Sequence, residues 1–308
     1  MSRVLILDQE QTRRALSLDD LLGAVRSALI ASSRGQDSVP PRIAAFSSDG
    51  LLGAMPGFVP DMGLAAKLVS VFSSEGRSAH RGVVALFDEV SGELQAIMNG
   101  EPITALRTAA SATVAFEVLA PSRCERLAVV GAGAQARAQL EFLRHQGTGS
   151  EIVVASRTRK NAERLAAEFG VETDTIEGAV AGADVTFCCT DASAPVVDDA
   201  WIRTGSHVSS VGGSHGPELA PATIHRASLY TEWPGATAHP PAGAHELQGV
   251  SDEEVILIGS VLCGESPRRR GDELTVFKST GFAGLDVAAA SVVFSRARTG
   301  DLGTWLEL

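Results

Sequence analysis
The sequence predicts an α/β chain, a doubly wound parallel sheet plus a second, mostly antiparallel α+β domain, and three observations carry that expectation. From residue 126 onward, short β-branched apolar runs alternate with helical patterns, as in parallel strands joined by crossover helices. From residue 39 to 100 the pattern is of short strands with no helix between them. Finally, the apolar run 127–130 feeds a Gly131-x-Gly133-x-x-Ala136 turn and then a helical pattern, with Ala136, Leu140 and Leu143 on one face and a stop at Gly147. Strand, glycine turn and helix in that order form a Rossmann-type dinucleotide-binding fingerprint.

The elements follow in order. Residues 3–7 are a candidate strand. Ser17 caps a helix whose Leu18, Leu21, Leu22, Val25, Ala28 and Leu29 keep helical spacing, with Asp19 and Asp20 in its first turn. Strands are expected at 42–46, 51–55, 64–72, 82–88 and 93–98, the last two flanking the turn Glu89-Val-Ser-Gly92. Pro102 opens a helix that runs to Leu119, with Pro121 just beyond its end. Its inward face carries Ala105, Ala109, Ala112, Phe116 and Leu119, and it leads into the dinucleotide-binding domain. There the strands are 127–130, 151–155, 185–189, 207–211 and 228–232, with helices at 135–146, 161–169 and 175–181. Residues 255–262 read as another helix. Thr275-Val-Phe-Lys-Ser-Thr-Gly281 introduces an Ala-rich helix, 282–297, that returns to the first domain. The expected division is 1–115 with 288–308 as a substrate-binding and dimerisation domain, and 116–287 as the Rossmann dinucleotide-binding domain.

Composition bounds the function. Of the 308 residues, 44% are hydrophobic and 20% charged, as in an ordinary soluble globular protein. A net charge of −11 argues against nucleic acid or an anionic membrane surface as partner. The basic run Arg268-Arg269-Arg270 reads as a solvated loop. The first apolar run is too short for a signal peptide, and no stretch approaches a membrane span. Cys124, Cys188, Cys189 and Cys263 lack zinc or redox spacing and read as small buried hydrophobes in a reducing compartment. His239 and His245 lack helical ligand spacing and a third partner, so no metal site is expected. The sum is a cytoplasmic, enzyme-like protein.

In the fingerprint, Gly131 permits the tight turn, Gly133 lets the backbone approach a pyrophosphate, and Ala136 keeps the helix near the sheet. The helix N-terminus offers free N–H groups to the phosphates. The second strand ends in Ser156-Arg157-Thr158, where an NAD-binding protein usually places an acid for the ribose hydroxyls. No carboxylate is there to repel a 2′-phosphate, while a guanidinium and two hydroxyls can bind it. The expected cofactor is NADP(H) in preference to NAD(H), against the bland alternative of a solvated basic turn.

Three cations in the first domain bear on a substrate. Lys67 lies inside the apolar run 64–72 and shares a strand face with Ala65, Val69 and Val71. An unpaired buried ammonium is expensive, so either that edge is wet or an anion sits opposite. Arg42 follows Pro40-Pro41 at the start of a strand, and Arg107 sits among Ala105, Leu106 and Ala109 on the Pro102 helix. Structural ion pairs and a cationic cleft beside a nicotinamide remain equally open for them.

Val39-Pro-Pro-Arg42, Met55-Pro56, Ala66-Lys67, Thr104-Ala-Leu-Arg-Thr-Ala-Ala-Ser111, Gly131-Ala-Gly-Ala-Gln135 and Phe277-Lys-Ser-Thr-Gly281 occur in this order. With them the sequence resembles the ornithine cyclodeaminase/mu-crystallin family over nearly its whole length. That family includes cyclodeaminases, alanine dehydrogenase-like enzymes, ketimine reductases and mu-crystallin. The resemblance implies that Arg42 and Arg107 hold a substrate carboxylate, that Lys67 lies beside the reacting carbon–nitrogen centre, and that a homodimer forms through the first domain's sheet. It also implies that Gly131, Gly133, Ala134 and Gln135 contact the pyrophosphate. Ser156, Arg157 and Thr158 match the segment of NADP-using members, and Thr190 joins the expected cofactor-binding residues. Cyclodeaminases carry an aspartate after the fifth strand; here Val211-Gly-Gly-Ser-His-Gly-Pro-Glu-Leu219 is shortened and places Ser214 there, a candidate catalytic residue. They also tend to carry a glutamate just before Met-Pro, where this chain has Gly53-Ala54. The expectation is therefore an NADPH-dependent reductase of small imino or keto acids. A cyclodeaminase using NAD and a non-catalytic NADPH-dependent binding protein are the alternatives. His215 is a candidate acid or base, or a surface or phosphate-facing residue, and Asp286 a candidate to cap or line the cleft.

Overall fold
The computed structural model describes residues 3–74, 77–213, 215–267 and 272–307, with the backbone alone at 73, 74 and 77–80. The basic run Arg268-Arg269-Arg270 lies outside the described residues. Two compact units are present, Met1–Arg107 with Gly281–Leu308, and Thr108–Thr280. The expected boundaries, 115/116 and 287/288, fall some residues later in the chain.

The first unit begins with β1 (Arg3–Leu7), α1 (Gln9–Ala15) and α2 (Leu18–Ser33). Ser17 caps α2 by accepting a bond from the Asp20 N–H. Helix α1 is absent from the expected elements, although Asp8 and Gln11 close a capping box at its start. Strands β2 (Ile43–Phe46), β3 (Gly50–Val59), β4 (Gly63–Ser74), β5 (Arg77–Phe87) and β6 (Leu94–Asn99) follow, and α3 (Gly100–Leu119) comes next. β3 runs past its expected end at Met55 and through Pro56. β2 pairs only with residues 51–54 of β3, so Pro56 lies beyond that pairing, where a missing N–H is tolerated.

The second unit contains β7 (Arg126–Val130), α4 (Ala134–Gln146), β8 (Glu151–Ala155), α5 (Arg159–Phe169), β9 (Glu172–Thr173), α6 (Ile176–Ala181), β10 (Val185–Cys188), β11 (His207–Ser210), α7 (Pro221–Arg226), β12 (Ser228–Thr231), β13 (Val255–Leu257), α8 (Ile258–Leu262) and β14 (Thr275–Lys278). The chain then supplies α9 (Ala283–Thr299) and β15 (Thr304–Glu307) to the first unit.

The sheet of the second unit has the order β13-β12-β14-β11-β10-β7-β8-β9, and its strand pairs are parallel. The chain leaves β7 outward to β8 and β9, then crosses back to β10 on the other side. That reversal beside β7 is the topological switch point at which open α/β sheets bind ligands. One face buries Leu127, Val129, Leu140, Leu143, Leu165 and Phe187, and the other buries Ala128, Val153, Ala155 and Ala179, which makes the sheet doubly wound. The expected helix at 255–262 is instead strand β13 followed by the one-turn α8. Val255 and Ile256 pair with Leu229 and Tyr230 at the sheet edge, and a short apolar run does not separate strand from helix by period alone. Thr275–Lys278, expected only as a lead-in, is a wholly buried strand between β11 and β12.

The first unit's sheet has the order β15-β1-β6-β5-β4-β3-β2, antiparallel except for β1 beside β6. On its inner face α9 packs against β3, β4 and β5, and Ala65, Met55, Val84 and Leu86 are buried. The opposite face shows Ile43, Leu52, Leu64, Leu68 and Val83 to solvent.

Candidate active site
In the first unit the strand alternation turns Lys67 to the inner face of β4, between Met55 and Val84 on the neighbouring strands. Its side chain is only 5% exposed. Of the two alternatives open for Lys67, a wet edge or an anion, α9 supplies the anion: Asp286, 1% exposed, accepts from Lys67 Nζ at 3.3 Å and from Arg107 Nε at 3.3 Å, both at Oδ1. Asp286 Oδ2 is buried and has no hydrogen-bond partner among the described residues. Arg107, in the second turn of α3, is likewise buried. Arg42 is half-buried, and its Nη2 donates to the Gly281 carbonyl at 2.6 Å. Gly281, with φ +66°, brings its Cα so close to Arg107 that a Cβ there would lie 2.5 Å from Nη1 and 2.7 Å from Nη2. The three predicted cations thus belong to one cluster. Burial lowers the Lys67 ammonium to a pKa of about 8; the adjacent Asp286 carboxylate opposes that shift, while Arg107 and Arg42 reinforce it.

Asp286 is the residue whose part in the cluster the sequence analysis left open. The signal was a carboxylate inside Gly284-Leu-Asp-Val-Ala-Ala-Ala290, since an acid on a wholly apolar helix face needs a cation.

In the second unit the predicted cofactor residues gather at the carboxyl ends of β7, β8 and β10. Gly131 follows β7 with φ +124°, its N–H bonded to the Ala155 carbonyl at 2.8 Å, and a Cβ there would collide with the Cys189 carbonyl oxygen. Gly133 precedes α4 with no side-chain cap, and the helix's first turn holds no acid. Gly133 and Ala134 are exposed, and among the described residues no atom would meet a Cβ at Gly133 within 4 Å. An uncapped helix N-terminus with open backbone before it fits a pyrophosphate. Gln135 is half-buried, and its Oε1 has no hydrogen-bond partner among the described residues. Ser156, half-buried, and Arg157 and Thr158, both exposed, follow β8. Thr190, beyond β10, donates through N–H and Oγ1 to Glu218 Oε1 at 2.7 and 2.6 Å. His215 is exposed and pairs through Nδ1 with Asp191 Oδ1 at 2.6 Å. Ser214 lies outside the described residues.

Among the described residues no three His, Cys, Asp or Glu side chains converge as a metal site, and no helix is long and apolar enough to cross a membrane. Burial pushes the Cys188 and Cys189 thiols well above their ordinary range, so they are inert apolar fillers.

Known proteins are similar to this chain over nearly its whole length. The family model described as ornithine cyclodeaminase/mu-crystallin family matches residues 3–301. The ketimine reductase mu-crystallin of Mus musculus is 32% identical over 294 residues, 91% of this chain and 93% of the relative. A solved Thermococcus litoralis Delta(1)-pyrroline-2-carboxylate reductase in complex with NADH and L-proline superposes with a TM-score of 0.87 at 26% identity, covering 98% of this chain and 99% of that one. An archaeal alanine dehydrogenase dimer with bound NAD gives 0.90 at 27% identity, with 100% of both chains covered. With a family model spanning nearly all its length and relatives matched end to end, this chain belongs to the ornithine cyclodeaminase/mu-crystallin family.

Proposed function
We propose that the protein is an NADPH-dependent reductase of small imino acids. The observation that carries this reading is that two buried cations, Lys67 and Arg107, share one oxygen of the Asp286 carboxylate, with Arg42 beside them at the Gly281 carbonyl. A surplus of buried cation calls for an anion, and guanidinium groups suit a carboxylate through paired, planar hydrogen bonds. Arg42 and Arg107 hold the carboxylate beside the C=N group, and Lys67 meets the imine nitrogen. NADPH, when bound, supplies the hydride. Lys67 supplies the proton: as hydride reaches the imine carbon, the C=N π pair takes the proton from Nζ, giving the amine and a neutral lysine that regains a proton from water. An ammonium with a pKa of about 8 is charged at neutral pH yet gives up its proton readily. The likeness to reductases of cyclic imino acids supports this substrate class.

The test is nicotinamide absorbance with cyclic ketimine acids, and with keto acids plus amines, each with NADPH and NADH. Consumption of NADPH is the expected result. Ammonia release from ornithine or lysine with NAD, without net NADH, would replace the reductase reading with cyclodeamination. Tight ligand binding without turnover would replace it with a binding protein.

The NADPH preference rests on Arg157, exposed at the end of β8 with no acid at the tip. Arg157→Ala is expected to raise the KM for NADPH about tenfold, the scale of one charge-assisted contact, and to leave that for NADH unchanged. Equal effects on both coenzymes would remove the 2′-phosphate role.

The chain forms a homodimer through the outer face of the first unit's sheet. Ile43, Ala54, Leu68 and Val83 stand in one cross-strand row, and Leu68 and Val83 are 41% and 39% exposed. An apolar sheet face of that extent is an interaction surface, and the likeness to a dimeric alanine dehydrogenase supports a second copy as its occupant. Light scattering should give twice the 32.0 kDa chain mass. Leu68→Asp should give the monomer. A monomeric wild-type protein would end this reading.

A further inference from the structure
At the carboxyl edge of the second unit's sheet lies a buried polar knot that the reading above leaves without a role. Glu218 is fully buried, and its carboxylate accepts hydrogen bonds at both oxygens. Oε1 accepts from Thr190 N–H at 2.7 Å and Thr190 Oγ1 at 2.6 Å. Oε2 accepts from Ser210 Oγ at 2.7 Å and Gly212 N–H at 2.8 Å. One carboxylate therefore joins the turn after β10 to the turn after β11. Lys278, at the end of β14, backs it: Nζ donates to Ser210 Oγ at 2.9 Å, the Gly212 carbonyl at 3.0 Å and Glu246 Oε1 at 3.0 Å, and lies 4.0 Å from Glu218 Oε2. Glu246 Oε1 also accepts the Glu218 backbone N–H at 2.8 Å. The two turns touch so closely that a Cβ at Gly212 would overlap the Thr190 carbonyl oxygen.

The place of this knot in the sheet gives it meaning. In a doubly wound sheet the strands divide into two mononucleotide-binding halves. Here the glycine turn and Ser156-Arg157-Thr158 follow β7 and β8, the half that takes the adenosine end. The turns after β10 and β11 belong to the other half, where the nicotinamide end belongs. Three ionisable side chains buried under two short turns are an expensive way to hold a loop that has only to exist. They suit turns whose atoms must stay fixed, because hydride transfer is sensitive to small misplacements.

We propose that Glu218 is a positioning residue for the nicotinamide half of the coenzyme, held in place by Lys278 and Glu246. The proposal rests on the coenzyme reading above and goes beyond it. Because both carboxylate oxygens accept only, Glu218→Gln must set an NH2 against donors on one side, at nearly unchanged volume. In Glu218→Gln the Kd of NADPH is expected to rise about tenfold, as for a buried hydrogen-bonding group left unsatisfied, and kcat to fall as well. Binding of adenosine 2′,5′-bisphosphate, which occupies only the adenosine half, should match wild type. Ser210→Ala, which removes one donor from a residue that is not itself a predicted coenzyme-binding residue, should show the same selectivity more weakly and serves if Glu218→Gln does not fold.

Calorimetric titration of the full-length wild type and both variants with NADPH and adenosine 2′,5′-bisphosphate makes the test. Loss confined to NADPH supports the assignment. Equal loss of both probes overturns it in favour of a general structural role, and so does wild-type binding of both in the variants. If wild type itself binds neither probe, the coenzyme reading falls and this proposal with it.

Discussion

Lys67→Met is expected to lower kcat/KM for the imino acid about a thousandfold, within the range contributed by one positioned acid, while NADPH binds as in wild type. Lys67 is buried, and Asp286 stabilises its charge against burial and the two arginines, which together bring its pKa from 10.5 to about 8. The proton-donating form is therefore lost as pH rises past about 8, and wild-type kcat/KM should fall along an alkaline limb centred there. The methionine variant should lack that limb. Lys67→Arg keeps the charge but gives up no proton in this range, so it should bind substrate and fail to turn it over. The same shift makes a stability statement. The unfolded chain binds this proton more tightly than the folded one, so the folded state's disadvantage is complete below pH 8 and fades as pH rises towards 10.5. Over that window urea unfolding should find wild type gaining on Lys67→Met. Normal turnover in Lys67→Met with normal NADPH binding would remove Lys67 from the chemistry.

The parts of this molecule legible in the sequence are those where local pattern and tertiary demand coincide. The run 127–130, the glycine turn and the Ala136-Leu140-Leu143 stripe each specify β7 and α4 without outside help, and they appear as read. Lys67 was legible by contradiction, since an ammonium in an apolar strand demands either water or an anion, and Asp286 is the anion. What escaped is what only the fold decides. β14 is four residues long, and its strand character comes from β11 and β12 on either side. Val255 and Ile256 become strand because β12 offers an edge. Lys278 and Glu246 lie 32 residues apart, and no spacing rule joins them; the parallel sheet does. Lys278 inside Val-Phe-Lys carried the same contradiction as Lys67, and its answer lay in a loop rather than a helix.

Gly281→Ala is expected to raise the KM for the imino acid about thirtyfold with little change in the KM for NADPH, the effect of disturbing charge-assisted contacts to the carboxylate. Two features of Gly281 lead there. Its φ of +66° lies in the left-handed region, where a Cβ costs about 1 kcal/mol or more. Its Cβ would also fall 2.5 and 2.7 Å from the two Nη atoms of Arg107 and 3.0 Å from Cζ. The guanidinium must then rotate away or the peptide must move. Moving the peptide disturbs Arg42, whose Nη2 donates to the Gly281 carbonyl at 2.6 Å. Either response separates the two arginines proposed to hold the carboxylate, while Lys67 keeps its contact with Asp286. The defect should therefore depend on the substrate's charge. Steady-state kinetics with an imino acid and with its uncharged carboxamide analogue would read this directly. Wild type should prefer the acid strongly, and in Gly281→Ala the preference should shrink while the poor rate with the carboxamide stays the same. A variant that loses both substrates in proportion would mean that Gly281 shapes the unit as a whole, and that Arg42 and Arg107 are a structural pair rather than a carboxylate clamp.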